Sequence, residues 1–442
     1  MINKNDKFTL KCVDYSYLGL GVVKQDGFCV FVKGMLKDEV GEIQITSLKK
    51  DYGYGRVLAL TTKSDQRVES ICPYFPKCGG CQLLYMSYQE QLSFKQGYVE
   101  EVMKKIGKIK IDALPIIGMQ DPIHYRNKVQ IPVETIDDKL IGGFYRTNSH
   151  DIIPIDNCLL QSDLSNEVYR KIIQLLNKYE VKDIVKHVLI KHAFASDQLM
   201  VVFIINQKQL PHISEMVTKL KKEERIKSII ININKRNDNV ILGDKEFVVY
   251  GDDHIEDVLM GYKFHISSKS FYQVNSVQTA LLYQTAYDLA NIQPNENILD
   301  LYCGIGTIGI IASKYANKVI GVEIIEEAIK DAQNNALINN VTNTEFICGD
   351  VATATQQLIT NNQHIDVVFV DPPRKGCDDQ TIEAITKLQP QRIIYISCNP
   401  STLARDLSIF ETKGYQTTVI QPVDMFPNTY HVENVVLLTM VK

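Results

Sequence analysis

Residues 297–316 read NILDLYCGIGTIGIIASKYA, and they carry the clearest structural pattern in the chain. An apolar run, NILDL, precedes a glycine-rich turn, and an apolar helical pattern follows it. Gly304, Gly306 and Gly309 match G-x-G-x-x-G between a strand and a helix, where glycines let a ligand approach the backbone. The stretch therefore predicts one βα unit of a doubly wound sheet, with a ligand bound at the turn.

The same alternation of strands and helices continues from about residue 264 onward. Strand-like runs end in GVE (321–323), DPPR (371–374) and SCNP (397–400), and helical patterns separate them. Ligands bind at the carboxyl ends of the strands in such sheets. We therefore expect residues 263–442 to form a Rossmann-like α/β domain with its site at those strand ends.

Acidic residues around the turn distinguish two classes of ligand. Glu323 lies 19 residues past Gly304, at a strand end where a carboxylate can hold a ribose diol. That position fits both a dinucleotide and S-adenosylmethionine. Asp300, just before the turn, can meet a methionine ammonium, and a large non-Rossmann region precedes the turn. These two features favour S-adenosylmethionine.

The first 60 residues show the period-two alternation of short strands. Asp26-Gly27 is a strong hairpin signal, and about five strands in this length are typical of a small OB-like barrel. Such barrels often bind nucleic acid, although a structural module with a solvated surface fits equally. The candidates for a nucleic-acid surface are Lys49, Lys50, Tyr52, Tyr54 and Arg56. The region that follows, 61–262, mixes strands and helices and predicts a central α+β domain.

Composition places the chain among ordinary globular proteins. Of its 442 residues, 45% are apolar and 23% are charged, and the net charge is −4. Residues 1–150 carry 21 Lys and Arg against 17 Asp and Glu, and the rest carries 27 against 35, so an anionic partner fits the front part. We find no apolar run of about 18 residues and no signal peptide, which predicts no membrane association. Ten cysteines without an export signal indicate a reducing cytoplasm.

Three residues at predicted strand ends suggest covalent catalysis. Asp371 ends one strand, Cys398 ends the next, and Glu433 begins the last, so the three can share one cleft. A thiolate that adds to C6 of uracil makes C5 nucleophilic enough to take a methyl group, and a general base then removes the C5 proton. A buried cysteine, a turn aspartate and a surface glutamate are the plain alternatives. The order of the motifs along the chain favours catalysis.

These residues lie in segments that resemble a known family, the bacterial 23S rRNA (uracil-C5)-methyltransferases. The matching segments are FYQVN (271–275), DLYCGIGTIG (300–309), GVE (321–323), DPPRKG (371–376), SCNPSTLARD (397–406) and DMFPNTYHVENVVLL (424–438). The resemblance implies Cys398 as nucleophile, Glu433 as general base and Phe271 beside the target base. The S-adenosylmethionine contacts that it implies are Gln273, Tyr302, Gly304, Thr307, Glu323, Asp350 and Asp371. Tyr302 and Thr307 stand where relatives often have Phe and Asn.

A cluster of cysteines, ICPYFPKCGGCQ (71–82), follows the predicted barrel. From the residues alone, Cys72, Cys78 and Cys81 are compatible with a metal site, a redox pair or a reactive centre. The resemblance adds Cys158 and implies a [4Fe–4S] cluster held by four thiolates. Zinc is the alternative, although zinc sites more often use two short C-x2-4-C pairs. The resemblance also extends to the front, where residues 1–60 are similar to a TRAM domain.

The resemblance implies a division of labour between three parts. We expect a TRAM barrel at 1–60, a central iron–sulfur and RNA-binding domain at 61–262 and a methyltransferase domain at 263–442, with 88–120 packed on the last. A cytoplasmic monomer would grip 23S rRNA largely through phosphates and extract the target uracil from its stack, forming 5-methyluridine. The candidate RNA contacts are Arg126, Lys128 and Arg146.

Four other functions are compatible with parts of the sequence. A tRNA uracil-C5 methyltransferase would share the cleft, although that branch generally lacks the barrel and the cysteine motif. DPPR is similar to a motif of amino-group methyltransferases, whose chemistry needs no thiol. A radical enzyme would combine clustered cysteines with a methyl donor, but the spacing here is C-x5-C-x2-C rather than the usual C-x3-C-x2-C. An RNA-binding protein with an inert Rossmann-like half would not need the complete set of motifs.

Overall fold

The N-terminal strands form a closed barrel, as their alternation predicts. The structure is a computed structural model that describes residues 2–441. The barrel strands are β1 (Lys7–Tyr15), β2 (Gly21–Gln25), β3 (Phe28–Lys33), β4 (Val40–Leu48) and β5 (Tyr52–Thr62). Within the described residues they close in the order β1-β2-β3-β5-β4 around inward-facing valines and isoleucines. Asp26 and Gly27 both have positive φ, 49° and 83°, as the tight turn between β2 and β3 requires.

The middle of the chain forms a mixed sheet with two helices on one face. Its strands are β6 (Lys128–Ile136), β7 (Lys139–Tyr145), β8 (Ile152–Pro154), β9 (Val185–Ala193), β10 (Gln198–Ile205), β11 (Ile226–Ile233) and β12 (Lys245–Gly251). Their order in the described chain is β12-β11-β10-β9-β6-β7-β8. Helix α1 (Tyr88–Val102) precedes this sheet in the chain. The next two helices, α2 (Asp163–Lys178) and α3 (Ile213–Leu220), bury their apolar faces against the sheet.

A hairpin joins this central sheet to the C-terminal part. It consists of β13 (His254–Leu259) and β14 (Tyr262–Ser267). Its inward side chains, Ile255 and Phe264 among them, share one core with Met200 of β10 and Ile298 of the C-terminal part. The two parts are therefore packed through the hairpin rather than joined by an open linker.

The C-terminal part is the α/β layer structure that the glycine-rich turn predicts. Its strands are β15 (Asn297–Leu301), β16 (Lys318–Glu323), β17 (Thr344–Cys348), β18 (Val367–Val370), β19 (Arg392–Ser397), β20 (Tyr415–Val423) and β21 (Glu433–Met440). Its helices are α4 (Ser276–Ala290), α5 (Thr307–Ala312), α6 (Glu326–Ile338), α7 (Val351–Thr360), α8 (Asp379–Lys387) and α9 (Pro400–Thr412). In the described residues the strand order is β17-β16-β15-β18-β19-β21-β20, so the order reverses next to β15, where ligands bind in such sheets.

Helix α1 (Tyr88–Val102) and the π-helical turn Met103–Gly107 that continues it pack against α9. Apolar residues at helical spacing, Leu92, Val99, Met103 and Ile106, predict a helix here, and the structure confirms it. Ile106 at its end is 45% exposed, whereas Lys95 is wholly buried. A lysine takes a core position here because the neighbouring loop supplies a buried carboxylate.

That carboxylate belongs to Asp424, and the pair fixes the loop that leads into β21. Lys95 Nζ lies 2.6 Å from Asp424 Oδ1, and both side chains are 0% exposed. The Tyr88 hydroxyl donates to Asp424 Oδ2 at 2.9 Å, and Lys95 also donates to the Phe426 carbonyl at 3.0 Å. A buried ion pair contributes little net stability, but it specifies which groups must meet. Here it determines how α1 is docked beside the start of β21.

No helix of residues 2–441 is both long enough and apolar enough to cross a membrane.

Candidate active site

The predicted site residues follow neighbouring strands at one edge of the C-terminal sheet. Glu323 is the last residue of β16, Asp371 follows β18, and Cys398 follows β19. Tyr302 follows β15, which pairs in parallel with both β16 and β18. Parallel strands end at the same edge, so these four side chains lie along one rim.

Antiparallel pairing brings Cys398 and Glu433 together. In the ladder between β19 and β21, Ser397 pairs with Asn434. Cys398 directly follows Ser397 and Glu433 directly precedes Asn434, so both lie at the same end of this strand pair. The charge of Glu433 also raises the pKa of the Cys398 thiol, which indicates that the two groups are near each other. The insertion of β21 between β19 and β20 therefore brings a thiol and a carboxyl close together.

Burial makes this cleft unfavourable for negative charge. It raises the pKa of Cys398 to about 11, and the nearby Glu433 and Asp371 add to the effect, whereas Arg374 opposes it. Burial also raises the pKa of Asp371 to about 7 and, with the help of Asp371, that of Glu433 well above its ordinary value. A positively charged ligand would favour the ionised forms of all three groups.

The glycine-rich turn leaves open space for such a ligand. Gly304 has a φ of +54°, and a Cβ built on it would meet no atom of the described chain within 4 Å. Its N–H donates to the Glu323 carboxylate at 3.2 Å. That carboxylate also accepts from the N–H groups of Ile324 and Ile325, at 2.8 and 3.0 Å. The turn thus holds Glu323 in place beside exposed backbone.

Asp300 lies beneath the turn and is wholly buried. Its Oδ2 accepts from the Gly309 N–H at 2.9 Å, and burial raises the pKa of its carboxyl group to about 8. Its Oδ1 has no hydrogen-bond partner within residues 2–441. An unsatisfied buried oxygen requires a partner, which a ligand ammonium or an ordered water can supply.

Phe271 and Gln273 lie in the segment between β14 and α4. Phe271 is 64% exposed, so its ring is available for stacking. Gln273 is buried, and its backbone carbonyl accepts from Asn127 Nδ2 at 2.9 Å. Lys191 of β9 donates to two carbonyls of the same segment, at 2.6 and 2.9 Å. The central sheet therefore fixes this segment against the C-terminal part.

Three other predicted ligand contacts already have partners. The hydroxyl groups of Thr307 and Tyr283 share a hydrogen bond of 3.2 Å. Tyr302 has a φ of +61°, and its hydroxyl lies 3.5 Å from that of Thr381. Asp350 is exposed and caps α7 by accepting from a backbone N–H at 2.9 Å. Helix capping is a sufficient reason for an aspartate at this position, so its contact with a ligand stays a prediction.

Residues that the sequence did not single out hold the DPPR loop against α9. Asp406 is wholly buried and accepts from the Tyr395 hydroxyl at 2.6 Å and from the Cys377 N–H at 2.8 Å. Arg405 donates to two carbonyls of the loop, at 2.9 and 3.0 Å. Both residues belong to the segment SCNPSTLARD, so the signal was present without a role attached to it. Asp406 and Arg405 thus help to position the loop that carries Asp371 and Arg374 relative to Cys398.

Arg374 and His431 are further side chains of the cleft that sequence reasoning missed. Arg374 Nη2 lies 3.4 Å from His431 Nε2. Burial, followed by the charge of Arg374, lowers the pKa of His431 to about 4, so this histidine is neutral near pH 7. The cleft therefore has Arg374 rather than His431 as its positive side chain.

The four cysteines of the predicted cluster site line one cavity of about 310 Å³. They are free thiols in the described part of the chain, and burial raises the pKa of Cys78, Cys81 and Cys158. The other three thiols raise the pKa of Cys81 further, because they are close enough to repel a negative charge on its sulfur. Across residues 2–441, no group of three or more His, Cys, Asp or Glu side chains is arranged to hold a metal ion.

Two of the three candidate RNA contacts line this same cavity. They are Arg126 and Lys128, and burial lowers the pKa of Lys128. Arg126 lies close enough to Cys81 and Cys158 to lower the pKa of both thiols. The side chain of Arg146 is 50% exposed, and its backbone forms a β-bridge with Cys78. A contact between Arg126 or Lys128 and RNA would therefore have to be made at the mouth of the cysteine cavity.

Comparison with known families and sequences gives consistent matches. The model of the tRNA (uracil-5-)-methyltransferase family matches residues 87–441. An uncharacterized RNA methyltransferase of Listeria innocua is 41% identical over 448 aligned residues, which cover 100% of this chain and 99% of that protein. An uncharacterized RNA methyltransferase of Clostridium acetobutylicum is 43% identical and is covered over 98% of its length.

A solved structure matches nearly the whole chain. The Pyrococcus abyssi tRNA (uracil-54, C5)-methyltransferase in complex with S-adenosyl-L-homocysteine superposes with a TM-score of 0.77 at 25% identity. The match covers 98% of this chain and 100% of that one. The similarity therefore includes the barrel and the cysteine loop as well as the C-terminal sheet.

Proposed function

This chain belongs to the tRNA (uracil-5-)-methyltransferase family and is an RNA methyltransferase, and from this premise we propose that it methylates uracil C5 in 23S rRNA, forming 5-methyluridine. The proximity of Cys398 and Glu433 at the end of the β19–β21 strand pair carries the proposal. Amino-group transfer needs no thiol, and an inert or radical protein needs no such pair. We therefore do not propose an amino-group methyltransferase, a radical enzyme or an inert RNA-binding protein. We also do not propose a dinucleotide as the ligand.

The turn of the C-terminal sheet fits S-adenosylmethionine. Open space beside Gly304 accommodates a ligand, and Glu323 offers a fixed carboxylate to ribose hydroxyls. The unsatisfied oxygen of Asp300 and the raised pKa of Asp371 suit a ligand that brings positive charge. We propose that Gln273, Tyr302 and Thr307 complete the contacts with S-adenosylmethionine, and that Asp350 lies near its adenine. When bound, the donor supplies an electrophilic methyl group.

Within this cleft Cys398 acts as the nucleophile. Its thiol must first lose a proton, and Arg374 together with a cationic ligand makes that loss easier. The sulfur then forms a bond to C6, and the electron pair of the C5–C6 double bond becomes available at C5 for the methyl group. Phe271 is exposed, and we propose that its ring stacks on the extracted base.

Glu433 then completes the reaction as the general base. It removes the proton from C5, the C5–C6 double bond re-forms, and the C6–S bond breaks to return the electron pair to Cys398. Glu433 must be ionised to take this proton, and burial together with Asp371 opposes its ionisation by raising its pKa. Arg374 and a cationic ligand favour the ionised form that the role requires. Every residue in the scheme belongs to one chain, so the proposal requires no second copy.

The target RNA rests on separate arguments. The motif order resembles the 23S rRNA branch, and this resemblance favours rRNA. The similar Pyrococcus enzyme acts on tRNA and aligns over 98% of this chain, so the barrel and the cysteine loop do not exclude a tRNA. We keep tRNA uracil-C5 methylation as the second candidate for this reason.

Mapping of 5-methyluridine distinguishes the two targets. We expect 23S rRNA from a strain without this gene to lose the modification at one or more uracils, and the purified protein to restore it with S-adenosylmethionine. Digestion and mass spectrometry of both RNAs give the answer. Loss confined to tRNA would contradict the rRNA target and would leave the chemistry intact.

We further propose that the cysteine cavity holds a [4Fe–4S] cluster. Four thiols are the appropriate ligands, and all four line one cavity of about 310 Å³. The C-x5-C-x2-C spacing with a distant fourth cysteine is less typical of zinc, which more often uses two short pairs. Cys158 would then tie the loop of Cys72, Cys78 and Cys81 to the central domain. Arg126, beside two of these thiols, offsets part of their negative charge.

Metal analysis tests this assignment. Anaerobically purified protein is expected to be brown, to absorb visible light and to contain iron and acid-labile sulfide in equal amounts. Cys158→Ser should lose most of the iron, whereas Cys29→Ser in the barrel should keep it. Colourless protein with stoichiometric zinc would contradict the cluster.

We also propose the division into a TRAM-like barrel at 1–60, a central domain at 61–262 and a methyltransferase domain at 263–442. Helix α1 belongs to the middle range by sequence but packs on α9. Its buried contacts with Asp424 support counting 88–120 with the methyltransferase domain in space.

A further inference from the structure

A cavity of about 300 Å³ lies between the barrel and helix α1. The connection between β1 and β2 forms one wall through Tyr17, and α1 forms the other through Tyr98. Tyr17 is 60% exposed, so its ring is accessible from solvent. The cavity is separate from the cysteine cavity and from the strand ends that hold Cys398 and Glu433.

The rings of Tyr17 and Tyr98 form a tilted pair at this cavity. Their centroids are 6.4 Å apart and their planes are tilted by 34°, which is within the range of aromatic rings in contact. A base that stacks between them has to displace one ring, and Tyr17, exposed in the connection between β1 and β2, is the one free to move.

One wall of this cavity is tied to the helix that follows the nucleophile. The hydroxyl groups of Tyr98 and Ser401 share a hydrogen bond of 3.0 Å. Ser401 is the second residue of α9 and comes three positions after Cys398. The cavity is therefore connected to the N-terminal turn of the helix that follows Cys398.

The charge of the cavity indicates which part of a nucleotide enters. Asp14, Glu90 and Glu101 line it together with Lys37. Glu90 already accepts from the Tyr15 hydroxyl at 2.6 Å and Glu101 is paired with Lys105, so a base would meet their remaining acceptor positions. Carboxylates repel a phosphate, but they accept hydrogen bonds from the amino and imino groups of bases. Aromatic side chains stack on bases of any sequence. The lining thus favours a nucleobase over the RNA backbone.

We propose that Tyr17 and Tyr98 form a stacking slot for one unstacked, non-target nucleobase of the RNA substrate. The slot rests on the proposed RNA methylation and adds a second point at which the substrate is recognised. It grips RNA next to the nucleophile helix, so it contributes to the choice of uracil. The barrel also carries a ring cluster of Phe31, Tyr52 and Tyr54, which continues the aromatic surface away from the slot.

Kinetics of Tyr17 variants test the slot. Tyr17→Leu is expected to raise the KM for the RNA by about 5- to 150-fold, because loss of one base–aromatic stack costs about 1–3 kcal/mol. The kcat at saturating RNA and the KM for S-adenosylmethionine should not change. Tyr17→Phe keeps the ring and should behave as the unaltered protein. Phe247→Leu, at an exposed aromatic of β12, is the matched control.

Fluorescence gives a direct readout of stacking. RNA with 2-aminopurine at positions flanking the target should show quenching at one position on binding, and Tyr17→Leu should abolish that quenching. An active Tyr17→Leu variant with an unchanged KM for RNA and unchanged quenching would overturn the slot. The same result is expected if a segment of the protein, rather than a base, occupies the cavity. Failure of the unaltered protein to methylate any RNA would instead refute the proposed function.

Discussion

Glu433→Gln is expected to leave methylated RNA covalently attached to the protein through Cys398. Glutamine has the shape of the glutamate but cannot accept the C5 proton, so the C6–S bond cannot break after methyl transfer. Turnover should fall by about 10²- to 10⁴-fold, the usual contribution of a general base. The fold should tolerate the change, because burial already favours the neutral form of this side chain.

A denaturing gel with labelled RNA shows the adduct directly. The adduct should be stable only when the methyl donor is present in the reaction. The shifted band should be absent when Glu433→Gln is combined with Cys398→Ser. Peptide mapping should locate the linkage at Cys398. Turnover at the normal rate by Glu433→Gln, or the absence of any adduct, would remove Glu433 from the role of base.

Cys398→Ser is expected to lower methyl transfer by at least about 10³-fold, as loss of a nucleophile does in other enzymes. A serine hydroxyl ionises far less readily than a thiol, and the cleft already opposes negative charge at this position. Binding of S-adenosylmethionine should persist, because its proposed contacts lie on other strand ends. Donor affinity and methyl incorporation are measured on the same preparation.

Cys29→Ser is the matched control for this prediction. It makes the same chemical change in β3 of the barrel, away from the C-terminal strand ends, and should keep full activity. Substantial methylation by Cys398→Ser would mean that the reaction needs no covalent addition to the base.

The sequence was sufficient to predict the two regular architectures. Period-two alternation with Asp26-Gly27 predicts the barrel, and the turn at Gly304 with its following strands predicts the doubly wound sheet. Both depend on patterns that repeat over a few residues, and local propensity reports such patterns well. The grouping of Glu323, Asp371 and Cys398 at one edge follows from the same rule for parallel strands.

The strand order that brings Glu433 beside Cys398 could not be obtained in this way. It depends on the insertion of β21 between β19 and β20, and strand order is a property of the packed sheet. Lys95 is a similar case, since its partner Asp424 lies 329 positions away in the sequence. A lysine on a helix reads as a solvated residue unless a distant carboxylate is known to meet it.

The cysteine cavity also depends on residues that are distant in the sequence. Spacing groups Cys72, Cys78 and Cys81, whereas only the family resemblance predicts Cys158 as the fourth ligand. The structure then brings Cys158 to the same cavity, together with Arg126 and Lys128, which the sequence suggested as RNA contacts. The position of Arg126 and Lys128 in this cavity could not be read from the sequence, because loops from distant parts of the chain build their surroundings.

Release of tritium from RNA that carries [5-³H]uridine tests methylation of uracil C5 most directly. The unaltered protein with S-adenosylmethionine should release one tritium into water for every methyl group that it transfers, and Cys398→Ser should release none. Methyl incorporation without release of tritium would place the methyl group on another atom and would contradict uracil C5 as the site of the reaction.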